Sequence, residues 1–171
     1  MKNHIRIMKL CKIALFAALL CVCAWIHIPT PIPITLQTLA LFILADCLSY
    51  EESAASVLVY LALGIFGVPV FAGFQSGIGT LLGPTGGFLI GYLPTVLLYS
   101  SLSKLTRTKR IRLVFALSSL IVLYFCGGIW YGFVYGGENV LSLCVYPFIV
   151  PDIVKILCAI AVSTRLKRLF R

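Results

Sequence analysis

Acidic side chains are nearly missing from this chain: Asp46, Glu51, Glu52, Glu138 and Asp152 are its five in 171 residues, and charge of both signs amounts to 11%. Soluble domains carry about 25% charged and ~45–50% apolar residues, whereas 61% of this chain is hydrophobic and its mean hydropathy is +1.07. A soluble domain is excluded, and the composition is that of an integral membrane protein. Histidine is as scarce, with only His4 and His27, and no Cys-x-x-Cys occurs among seven cysteines. Neither a metal site nor a redox centre has the ligand spacing it needs, and an odd cysteine count gives no disulfide framework. No Gly-Lys-Ser/Thr follows the glycines, so the chain has no phosphate-binding loop and no nucleotide site of its own. The period-two alternation of a membrane barrel is also missing, as residues 113–126 show.

What remains is helix. A spanning helix takes roughly 20 apolar residues, so the length allows a six-helix transmembrane bundle, one domain over residues 1–171, with helices at about 6–28, 36–48, 53–66, 88–103, 113–134 and 148–163. The net charge of +9 sits in three clusters: Lys2 to Lys12, Lys104 to Arg112, and Arg165 to Arg171. With six spans all three fall on one side, which the positive-inside rule makes the cytoplasm, with both termini. The basic excess is thereby assigned to topology and lipid headgroups, with no stacking aromatics to suggest nucleic acid. The basic, apolar N-terminus lacks a small-x-small cleavage site and is expected to stay as the first helix.

One basic residue falls outside those clusters. Lys155 lies three positions after Asp152 in an apolar run entered through Pro147 and Pro151. That spacing puts both on one helix face, and Pro151 suits a first turn, where no amide hydrogen is needed. Charge at membrane depth is costly enough to be rare without a role. The pair is either a recognition pair for a polar small molecule or an internal ion pair. Asp46, near the end of the second helix, is expected to reach the interface in a structural role, next to an acidic loop at residues 50–52.

Two irregular stretches could face the pair. Pro29, Pro31 and Pro33 precede Thr35, Gln37 and Thr38; alternate prolines forbid a helix and stiffen the chain, which suits a lid. Residues 67–87 contain seven glycines yet remain apolar. Broken backbone at that depth is tolerated only where protein or a cavity shields it, so Phe71, Gly73, Gln75 and Gly83 are candidates for a second wall, with Thr35 and Gln37. Trp130, Tyr131 and Tyr135 suit an aromatic belt or the cavity. Ala14 and Ala18 form a small-xxx-small face, for packing within the chain or for docking another protein.

Taken together, Pro31-x-Pro33-x-Thr35-x-Gln37-Thr38, Gly64-x-x-Gly67-x-Pro69-Val70-Phe71, Gly79-x-Leu81-x-Gly83-Pro84-Thr85-Gly86-Gly87 and Pro151-Asp152-x-x-Lys155 resemble the BioY family, the biotin-specific substrate-binding components of energy-coupling factor (ECF) transporters. The resemblance implies a six-helix subunit of a bacterial plasma membrane that captures biotin near the outer face under the loop after the first helix. It implies partnership with a transmembrane coupling protein and two cytoplasmic ATPases, docking through Ala14 and Ala18, and transport by tilting of the whole subunit. No cofactor is implied. The chain departs from the family at residues 74–77, where Phe74, Gln75 and Ser76 stand in place of a more glycine-rich run.

Residue chemistry suits that ligand. Ionised Asp152 only accepts hydrogen bonds and Lys155 only donates them, matching the two N–H groups and the carbonyl of biotin's ureido ring; alternatively Lys155 meets the carboxylate of the valerate tail. A membrane enzyme using Asp152 and Lys155 as acid and base lacks a nucleophile, orienting group or metal set, and a channel lacks a polar stripe through its helices. A component for a different vitamin is a further alternative.

Overall fold

The computed structural model describes residues 2–106, 108–137 and 139–167, so the basic residues Arg107, Arg168 and Arg171 and the loop residue Glu138 lie outside the described residues. Eight α-helices are described: α1 (Lys2–Trp25), α2 (Gln37–Cys47), α3 (Tyr50–Ile65), α4 (Ile78–Leu82), α5 (Gly86–Ser103), α6 (Lys109–Tyr135), α7 (Val140–Cys144) and α8 (Tyr146–Leu166). Among the described residues, α1, α5, α6 and the α7–α8 stretch are long and apolar enough to cross a membrane. Helix α2 is not. Its 11 residues rise only about 16 Å, against a hydrocarbon core of about 30 Å. It is apolar on all sides because it is buried on all sides: every residue from Ala40 to Asp46 is covered by protein.

The proline segment folds into a short antiparallel ribbon, β1 (His27–Ile28) with β2 (Ile34–Thr35), His27 standing opposite Thr35. Pro29, Pro31 and Pro33 fall between the strands, where a missing amide hydrogen costs no ladder bond. Leu36 N donates to Cys23 O and Ile26 O, both at 3.1 Å, pinning the start of α2 to the end of α1.

Three expectations are corrected. Residues 50–52 are not an acidic loop but the first turn of α3. Ser49 Oγ accepts from Glu52 N and the Glu52 carboxylate accepts from Ser49 N, a capping box that satisfies two orphan amides and sets negative charge at a helix N-terminus. In α8, Pro147 rather than Pro151 occupies the first turn, and Pro151 lies inside the helix. Asp46 does not reach the interface. Buried at 6% exposure, it accepts from Arg112 Nη1 at 3.0 Å, Lys167 Nζ at 3.3 Å and Ser163 Oγ at 2.5 Å. The ends of α2 and α8 thereby meet the start of α6.

Glycine sets how closely α5 and α6 approach. A Cβ on Gly87 would fall 2.3 Å from Trp130 Cβ, and one on Gly127 2.4 Å from Phe88 Cζ, so small residues bring the two backbones together. Gly86 and Gly87, which open α5, thus serve helix packing rather than the loop.

Candidate ligand-binding site

Helix α8 carries the charged pair into the bundle. Lys155 Nζ donates to Asp152 Oδ1 at 2.8 Å, and Tyr124 OH of α6 donates to Asp152 Oδ2 at 2.9 Å. Both charged residues are buried, Asp152 at 2% and Lys155 at 8% exposure. Each has bonding capacity left: an ammonium carries three donors and a carboxylate about four acceptor sites.

These groups line a cavity of about 790 Å³, within the roughly 300–1,000 Å³ of small-molecule sites. All eight residues singled out as ligand candidates, Asp152, Lys155, Thr35, Gln37, Phe71, Gly73, Gln75 and Gly83, lie on its wall. The ribbon and residues 71–76 face the α8 pair across it, with α5 and α6 closing the sides.

Gln37 is fixed from three directions. Its Oε1 accepts from Thr35 Oγ1 and Tyr92 OH, both at 3.1 Å, while its Nε2 donates to Tyr60 OH at 2.6 Å. An amide nitrogen carries two hydrogens, and the second has no protein partner among the described residues. A glutamine so held presents one oriented donor.

Phe71 reaches the cavity because Gly64 lets it. Its ring lies where a side chain of residue 64 would stand, 2.0 Å from a Cβ built there, and packs edge-on against Tyr60 at 5.6 Å. Trp25 fastens the neighbouring turn: its Nε1 donates to Pro69 O at 2.9 Å, and its ring stacks on Phe74 at 5.1 Å. Phe74 adopts φ 58°, a region that glycine enters more readily than phenylalanine. The side chains at 74–76 all border the cavity.

Sequence reasoning missed Tyr92 and Tyr124, each a hydroxyl inside a long apolar helix that bonds a ligand candidate. Polar atoms at that depth were the available signal, one that tyrosine's enrichment in membrane belts masks. Trp130 takes a third role: its Nε1 donates to Gly83 O at 3.0 Å and steadies the glycine loop from behind. Tyr131 and Tyr135 stack on each other. Ala14 and Ala18 are exposed, and α1 turns Phe16, Ala17 and Leu20 inward instead.

The BioY family model matches residues 1–171. The chain is 38% identical over 156 residues to the probable biotin transporter BioY of Pyrococcus horikoshii, covering 91% of this chain and 93% of the relative. It is 34% identical over 163 residues to the biotin transporter BioY of Thermotoga maritima, covering 94% and 96%. Its fold is similar to the crystal structure of the S-component for biotin from an ECF-type ABC transporter, with a TM-score of 0.88, 28% identity, and coverage of 98% of this chain and 95% of that one. Matched along its whole length by the family model and nearly so by these relatives, the chain belongs to the BioY family.

Proposed function

We propose that this chain captures biotin as the substrate-binding subunit of an ECF-type transporter and is not itself an enzyme. The observation that carries the reading is the buried Asp152–Lys155 pair on the wall of a cavity of ligand size. An ion pair in a dry interior gains little over apolar packing, so its placement beside an open chamber favours recognition over stability. Asp152 accepts from the ureido N–H groups and Lys155 donates to the ureido carbonyl. Charge strengthens both bonds, and the mutual pairing limits the cost of the empty site. Gln37, Thr35, Phe71, Gly73, Gln75 and Gly83 contact the rest of the ligand.

The subunit resides in the bacterial plasma membrane as a six-span bundle, in which α2 and α3 are shorter than the hydrocarbon core and are held at membrane depth by the longer helices around them. Both termini lie in the cytoplasm. Support comes from the meeting of Asp46, Arg112 and Lys167, which brings the basic start of α6 to the basic end of α8, as the positive-inside rule requires. Energy comes from partners, a transmembrane coupling protein and two ATPases, engaged through the outward Ala14–Ala18 face. Such small residues let a partner helix approach closely.

Isothermal titration of the detergent-purified chain tests the ligand. Saturable one-to-one heat with biotin, and none with thiamine or riboflavin, is expected; a flat biotin titration or a stronger response to either other vitamin rejects the assignment.

A further inference from the structure

His27 takes no part in the reading above, yet it stands on the cavity wall. The ribbon puts it there. His27 pairs directly across from Thr35, and residues opposite each other in an antiparallel pair present their side chains on one face, so the imidazole shares the face from which Thr35 meets Gln37. On its other side lies Gly73, where a Cβ would sit 3.9 Å from His27 Nε2.

Hydrogen bonding fixes the tautomer. His27 Nδ1 is 3.1 Å from Trp25 O, a carbonyl left without a helical donor at the end of α1. Because a carbonyl only accepts, Nδ1 carries the hydrogen, and in the neutral ring Nε2 is an acceptor alone. Protonation turns Nε2 into a charged donor.

The cavity then poses a question of charge. The titratable residues on its wall are His27, Tyr92, Tyr124, Asp152 and Lys155. Asp152 and Lys155 neutralise each other at 2.8 Å, and Tyr92 and Tyr124 are neutral phenols. Of the elements beside His27, β2 brings Ile34 and Thr35 and the facing turn brings Ala72, Gly73 and Phe74, none titratable, while the end of α1 brings only the buried thiols of Cys21 and Cys23. A ligand carrying one carboxylate, held at its other end by the Asp152–Lys155 pair, has His27 as the one uncommitted source of positive charge among the described lining residues.

We infer that His27 is a specificity residue for the ligand's carboxylate, and that it makes capture tighter on the acidic side of neutrality. The inference rests on the biotin reading and on the ureido ring taking the Asp152–Lys155 end. Imidazole changes charge between about pH 5 and 8 while an ordinary carboxylate stays ionised. Nε2–H bonds the tail below that window, and above it the bare Nε2 faces a carboxylate with no proton between them. Affinity therefore falls as pH rises.

Titration of the full chain with biotin and with its neutral carboxamide, at about pH 5.5 and about pH 8, reads this directly. For biotin, Kd should rise about tenfold between the two, the size of one charge-assisted bond; for the carboxamide it should stay constant, which controls for titration of the α8 pair. His27→Gln, neutral throughout, should bind biotin weakly and equally at both. A biotin Kd that does not change with pH, an equal change for the carboxamide, or a pH dependence that survives in His27→Gln overturns the inference and leaves the biotin reading standing. Failure of wild-type chain to bind biotin at either pH removes both.

Discussion

At the scale of the residue, the site depends on how few partners each buried charge has. Asp152 is satisfied by Lys155 and Tyr124. Lys155→Ala leaves the carboxylate with a single phenol in a dry interior, and breaking a buried pair costs about 3–5 kcal/mol. Stability falls by that amount, and biotin affinity measured by titration should fall as well because the ammonium that donates to the ligand is gone; an unchanged Kd would show that the ligand sits elsewhere. Tyr124→Phe is the gentler probe, removing one hydrogen bond to a charged group, worth about 1.5–3 kcal/mol. It should weaken biotin binding, because Asp152 loses the partner that orients its carboxylate, without preventing folding. The phenylalanine variant matters because a hydroxyl inside an apolar run was Tyr124's only mark: its role follows from α6 lying against α8, a tertiary fact that the run does not encode.

At the scale of the element, legibility followed local chemistry. The prolines after α1, the glycines before α5 and the α8 pair each impose a constraint that a single stretch reveals, which is why the candidates drawn from them share one cavity. Helix α2 was legible as an apolar helix but not as a wrapped one: its short run reads like any membrane helix until its neighbours show it to be covered by protein. The start of α3 was misplaced although Ser49 and Glu52 carry a capping box, because acidic residues beside an apolar run also suit a loop. Two tests belong here. Gly64→Ala drives a methyl into the Phe71 ring, and overpacking of this kind costs about 1–3 kcal/mol. A lower melting temperature and weaker biotin binding should appear together, since Phe71 must swing toward the cavity it lines. Ala18→Leu changes the exposed face of α1. Biotin affinity of the isolated subunit should stay at the wild-type value while uptake by cells carrying the complete transporter falls; loss of affinity in the isolated subunit would mean that this face supports the bundle instead.

At the scale of the whole molecule, two polar clusters are arranged along the same pair of helices. Helices α2 and α8 both contribute to the cavity, through Gln37 and through Asp152 and Lys155. At the far end of α2, Asp46 gathers Arg112, Ser163 and Lys167 around one carboxylate. Because Asp46 does not border the cavity, that cluster is expected to govern stability without choosing the ligand. Asp46→Asn strands the buried Arg112 guanidinium, with a penalty of about 3–5 kcal/mol. The melting temperature in detergent should drop clearly. Once the variant is folded, its biotin Kd should match wild type, so saturating it at about 100 times Kd should restore about 2.7 kcal/mol by mass action, as it does for the parent. Pairing Asp46→Asn with Arg112→Met should recover part of the loss, since apolar replacement of a buried ion pair is often neutral or better. Were Asp46→Asn instead to keep its melting temperature and lose biotin, the basic end of the bundle would be coupled to the cavity through α2 and α8, and the division between a stabilising end and a binding end would fail.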